Sequence, residues 1–146
     1  MSSRIVSIVS DVAAATTALG YACTATMLDR VELADCDTLR VTAMPIGLAL
    51  LGDGELGREA QGWRTWTYTV AVVCRQRVAG LTPAAVDAVI DAAETIAVGL
   101  RHTQLTTPNA DIESVDMLPL MDAAFLNDDA LAVSVVRCAI TLSEVG

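Results

Sequence analysis

The chain has 146 residues, 53% of them hydrophobic and 18% charged, enough for one domain with a real core and far from the polar composition of disordered chains. Its formal net charge is −9, all nine basic residues are Arg and Lys is absent, so it lacks the clustered cations from which nucleic-acid and anionic-lipid binding draw their affinity. No run approaches the roughly 18 apolar residues of a membrane span, and with aromatics at 3% the core must be built from Val, Leu, Ile, Ala and Met.

Residues 3–19 place Ile5, Val9, Val12 and Leu19 on one helical stripe that ends near Gly20, a suitable C′ residue. An early Arg4 and small residues near 22–25 superficially suggest a secretory signal. Asp11, Ser7, Ser10, Thr16 and Thr17 interrupt the apolar stretch, so a folded helix of a soluble intracellular protein is expected instead. Residues 21–31 read as extended, and an irregular link leads to a second strand at 38–44. There Leu39, Val41 and Ala43 alternate with Arg40, Thr42 and Met44. Pro45 marks an edge or a bend, and "IGLALL" continues extended.

Residues 52–57, Gly-Asp-Gly-Glu-Leu-Gly, spell the Gly-x-Gly-x-x-Gly of a dinucleotide site. That fingerprint requires the glycines to open a helix whose amides face a pyrophosphate. Here "WRTWTYTVAVVCRQRV" follows, a strand with Trp66, Tyr68, Val70, Val72 and Cys74 on one parity and Thr65, Thr67 and Thr69 on the other. Asp53 and Glu55 would also repel a phosphate. A hairpin with a long glycine-rich connection is expected, longer than closure needs.

"LTPAAVDAVIDAAETIAVGLRH" is a helix with Thr82 as N-cap, Pro83 at N1, acids early, and Arg101 and His102 in its last turn. Val86, Val89, Ile90, Ala93, Ile96, Ala97 and Leu100 form its apolar stripe, with Asp87, Asp91 and Glu94 facing away. "QLTTPNA" is a loop, "DIESVDMLPL" a strand, "MDAAFLNDD" an acidic turn and "ALAVSVVRCAITLSEV" the last strand. The apolar parity of that last strand changes at Val135-Val136, from either a β-bulge or a first half covered on both faces. The elements make a small single-domain α+β protein spanning 1–146. Its mixed or antiparallel sheet has four to five strands, an N-terminal and a central helix packed on it, and a long β-hairpin.

Chemistry-bearing constellations do not emerge. His102 is the single histidine, placed as a solvated residue at a helix end. Asp128-Asp129 and the Asp87/Asp91 pair read as ordinary solvated charge. Cys23, Cys36, Cys74 and Cys138 share no CxxC spacing and read as buried free thiols, with a disulfide between the strand cysteines as the other possibility. No catalytic residue, cofactor or metal ion is expected, and "DGELGRE" lacks the ligand pattern of a calcium loop. Trp63 and Trp66 flanking Arg64 read either as an interface cluster or as an end cap of the core.

In order and pattern the chain resembles the tail terminator and neck proteins, the head-tail joining family of long-tailed bacteriophages and phage-derived particles. The resemblance is carried by the amphipathic opening helix, "LRVTAMP", the Gly- and Glu-rich insert followed by "RTWTYTVAVVCRQR", the helix "VDAVIDAAETIAVGLR" and "SVDMLPLMDAAFLNDDALAVSVVRCAITLSEV". It departs from the family in its aromatic-poor strands, its lack of Lys and its ending "TLSEVG". What the resemblance implies is a structural virion protein, not an enzyme, assembled in the bacterial cytoplasm. Copies would form a ring, commonly a hexamer, on the head-proximal end of the tail tube, stopping polymerisation and joining the tube protein to the connector or stopper. DNA would pass through without specific binding, and no membrane is involved. Arg58, Trp63, Arg64 and Trp66 are the interface candidates, and Glu55, Glu59, Asp128 and Asp129 the acids facing the lumen or a partner. The competing readings are another connector component such as a stopper or completion protein, a soluble adaptor module, and a small nucleotide-binding protein.

Overall fold

The computed structural model describes residues 4–27, 38–50, 63–77, 83–118, 120–121 and 131–145. In chain order they form α1 (Arg4–Ala18), β1 (Cys23–Ala25), β2 (Arg40–Leu50), β3 (Trp63–Arg77), α2 (Pro83–Arg101), β4 (Ala110–Met117) and β5 (Leu131–Val145). The strands make one five-stranded sheet in the order β1-β2-β3-β5-β4. Only β1 and β2 run parallel; every other neighbouring pair is antiparallel. The α+β class, the mixed sheet and the long hairpin expected from sequence are all present.

Both helices lie over one face of the sheet, because both are apolar along one stripe. α1 buries Ile8, Val9, Val12 and Ala13, and α2 buries Val89, Ala93, Ile96 and Leu100. They meet the even-numbered residues of β3, Tyr68 through Cys74, and Ala132, Val136, Cys138, Ile140 and Leu142 of β5. Each such aliphatic side chain withdrawn from water contributes about 1.5–3 kcal/mol. Thr16 is buried within the α1 stripe, and its hydroxyl donates to the Val12 carbonyl at 2.9 Å, so no polar group is left unpaired there.

The ends of the elements follow local chemistry. α1 stops where Gly20 takes φ +104°, which an L side chain resists. The Thr17 hydroxyl donates to the Ala13 carbonyl at 3.0 Å and accepts from the Cys23 amide at 3.1 Å, tying the helix end to β1. In α2 the first turn holds no acid, contrary to expectation, and only Arg101 occupies the last turn. Asp87 is the first acid and His102 lies just past the helix. Thr82, the expected N-cap, is outside the described residues.

Two sequence readings need refinement. Of the extended stretch expected over 21–31, residues 28–31 lie outside the described residues, and within 21–27 the strand is Cys23–Ala25. In β5 the parity change produces no bulge: β3 and β5 pair in unbroken register from Trp63↔Val145 to Arg77↔Leu131. Its first half is instead buried on both faces, since Leu131 and Val133 join Ala71 and Val73 in a second cluster on the side away from the helices. Register shifts lie instead in β2, between Pro45 and Gly47, where the missing proline N–H already weakens the ladder, and in β4, between Ile112 and Ser114.

Candidate functional site

Among the described residues, the hairpin strand β2 has a partner on both sides where β1 reaches it, at residues 41–43, and the Thr26 amide donates to the Ala43 carbonyl at 2.9 Å beyond that pairing. From Met44 to Leu50 it pairs with β3 alone among the described residues. Three large apolar side chains on this arm stay in water: Ile46 is 47% exposed, Leu48 57% and Leu50 51%. Leu48 stands opposite Tyr68 and Leu50 opposite Trp66 on the helix-bearing face. The helices cover the root of the hairpin and leave this part bare.

β2 contains a single charged residue, Arg40, at its start. On a chain of net charge −9, residues 44–50 therefore form a neutral, apolar strip at a sheet edge. Such edges ordinarily carry charges that discourage association. β4, the other edge, carries Asp111, Glu113 and Asp116. Arg137 holds Asp116 through two bonds of 2.8 and 3.1 Å, and the Thr141 hydroxyl donates to Glu113 at 2.9 Å.

Of the interface residues expected from sequence, Trp66 is half-buried and packs against the main core. Trp63 and Arg64 open β3, level with Val145 and Glu144 of β5. Arg58, Glu55 and Glu59 lie outside the described residues, as do Asp128 and Asp129. Residues 52–57 lie outside them too, but their flanks are described: β2 and β3 are antiparallel partners of one hairpin. Among the described residues the next element after the glycines is therefore a strand, not the helix of a dinucleotide site.

The remaining reactive groups sit in structural settings. His102 is exposed at the end of α2. Beside it, an open cleft of about 250 Å³ is lined by Ala97, Val98, Arg101, His102 and Val115. Cys23, Cys74 and Cys138 are free thiols, so the described cysteines form no disulfide; Cys36 is not among them. Burial pushes Cys74 and Cys138 up to about 12 and Cys23 to about 11, so none is a thiolate nucleophile near neutrality. Among the described residues no group of three or more His, Cys, Asp or Glu side chains is placed to hold a metal ion, and no helix is long and apolar enough to cross a membrane.

Two polar arrangements were invisible in the sequence. Asp11, which argued against a secretory signal, accepts bonds from the Thr106 hydroxyl at 2.7 Å, the Thr107 amide at 2.8 Å and the Thr107 hydroxyl, pinning the α2–β4 connection to α1. Arg75 is buried on the face away from the helices and donates from Nη1 to the Thr42 hydroxyl at 3.4 Å.

No protein-family model and no curated protein sequence matches the chain. Among solved structures it is similar to the sheath/tube terminator of PVC, an extracellular contractile injection system, determined by cryo-EM in the extended state. The identity is 14% and the TM-score 0.42, over 93% of this chain and 56% of that one. The chain thus spans just over half the length of that terminator. A likeness of this degree does not fix a function.

Proposed function

We propose that this protein is a structural subunit of a phage or phage-like tail. Copies form a ring, hexameric in the fullest form of the reading, on the head-proximal end of the tail tube, stopping its growth and joining it to the head connector. The observation that carries the reading is the apolar, uncharged arm of β2, bare of helix and exposed at Ile46, Leu48 and Leu50. On a strongly acidic chain, an exposed strip of this kind is a place for joining copies and neighbours. The terminator role itself comes from the sequence pattern: opening helix, long Gly- and Glu-rich hairpin, central helix and closing strand pair.

In this reading the partners are further copies of the chain, the tail tube protein and the connector or stopper protein, and the location is the neck of the particle. Net negative charge would let DNA pass a central channel without being gripped. Arg58, Trp63, Arg64 and Trp66 are the candidates for contacts made by the hairpin, and Glu55, Glu59, Asp128 and Asp129 for acids facing the lumen or a partner.

The test is direct. Purified protein is added to polymerising tail tube subunits, and tube ends are viewed by negative-stain electron microscopy with a label on the added chain. Label confined to one end, with shortened tubes, is expected. Label along the tube walls, or unlabelled tubes of unchanged length, would contradict the proposal.

A further inference from the structure

Among the described residues, two stretches of sheet edge have no partner strand, residues 44–50 of β2 and the outer side of β4, and they lie at the same height. Reading across the four long strands on the helix-bearing face, the rows are Leu50-Trp66-Leu142-Ala110, Leu48-Tyr68-Ile140-Ile112 and Pro45-Val70-Cys138-Val115. On the other face they include Ala49-Thr67-Thr141-Asp111 and Met44-Ala71-Arg137-Asp116. The open part of β2, residues 44–50, therefore covers the same rows as residues 110–116 of β4, while Met117 is level with Ala43, where β1 pairs. Within one molecule β2 and β4 are also antiparallel to each other, since two antiparallel steps separate β2 from β5 and a third leads to β4.

From this geometry we infer that copies join head to tail by strand addition, the open β2 edge of one copy pairing antiparallel with the open β4 edge of the next. The inference rests on the self-assembly reading above and names its contact. An occupant of a bare strand edge must offer unpaired backbone amides and carbonyls at a matching height, and this chain carries such an edge on its own far side. The charges select the pairing. Two β4 edges brought together would oppose Asp111, Glu113 and Asp116 with their own copies, whereas β2 from Val41 onward brings no charge to face them. Pairing β2 with β2 would satisfy one edge and leave β4 open on both molecules. Only the β2–β4 contact uses both edges of every copy, and a heterologous contact of that kind closes into a ring when its rotation allows. The helices stay on one side of the joined sheet, and Ile46, Leu48 and Leu50 leave water.

The experiment uses exposed positions, so that folding is not at issue. Light scattering across a concentration series compares the unaltered chain with Leu48→Asp, while circular dichroism checks that both fold alike. In parallel, Ala49→Cys, Asp111→Cys and the double variant, each with Cys36→Ser, are oxidised and run on a non-reducing gel. The expected result is a concentration-dependent oligomer whose association Leu48→Asp weakens at least about tenfold. The double variant should give a ladder of cross-linked species, and each single variant essentially monomer. A chain that stays monomeric at every concentration would overturn the inference, as would an oligomer indifferent to Leu48→Asp, or dimers from Ala49→Cys alone. The second result would leave self-assembly standing and reject only this edge. Loss of tube capping by Leu48→Asp with its oligomer intact would assign the arm to the tube protein and also reject the inference.

Discussion

At the scale of single residues, two buried polar groups separate what a side chain's presence means from what its partners mean. Ser134 is fully buried under the helices opposite Cys74, and its hydroxyl has no hydrogen-bond partner among the described residues. A buried hydroxyl without a partner forfeits its hydration and regains nothing. Ser134→Ala is therefore expected to leave stability unchanged or raise it by up to about 1 kcal/mol, read as the urea midpoint at constant slope. A clear loss of stability would show that the hydroxyl is satisfied. Asp11 is the opposite case, since its carboxylate takes three bonds from Thr106 and Thr107. Asp11→Ala should cost about 1–3 kcal/mol, and hydrogen exchange at the Thr107 amide should quicken while the β3–β5 amides keep their protection. Uniform loss of protection would mean that the contact is part of the global fold and not a local pin.

At the scale of elements, β5 shows how far alternation alone can be read. Its change of parity at Val135-Val136 allows a bulge or burial on both faces, and the unbroken ladder with β3 decides for the second. Val133 and Val136 then point into different buried clusters. Placing a hydroxyl in either should destabilise, so Val133→Thr and Val136→Thr are each expected to cost about 1–3 kcal/mol by thermal or chemical unfolding; tolerance at Val133 would mean its face is open to water. The helices and β3 were legible because their apolar periods span many residues: the stripe from Val86 to Leu100, and Trp66 to Cys74 at every second position. β1 was legible only as part of a longer extended stretch, because three residues carry too little pattern to set its bounds or its parallel pairing with β2, and the Thr17 hydroxyl accepts from its first amide at Cys23. The exposed arm was half legible. Its apolar run was plain in the sequence, but only the positions of the helices show that Leu48 and Leu50 are left in water.

At the scale of the whole molecule, the sheet joins both helices through one main core, and that core holds two thiols whose titration reports on folding. Burial pushes Cys74 and Cys138 from 9.0 to about 12. Between those values the unfolded chain releases the protons and the folded chain keeps them, so the stabilising contribution is complete below about pH 9 and is lost as pH rises above it. Unfolding free energy should fall by up to about 1.4 kcal/mol per pH unit for each thiol in that range. Cys74→Ala should flatten the decline while lowering stability at neutral pH; an unchanged alkaline slope would count against burial as the cause. The bare β2 arm is a feature that the molecule's own core does not explain, and in the proposed function it joins copies at the end of a tail. The most direct measurement is the distribution of tail lengths, by electron microscopy, in particles made with the protein, without it, and with Leu48→Asp in its place. The account predicts a narrow distribution with the unaltered chain and long, variable tails in the other two, whereas tails of normal length in its absence would contradict it.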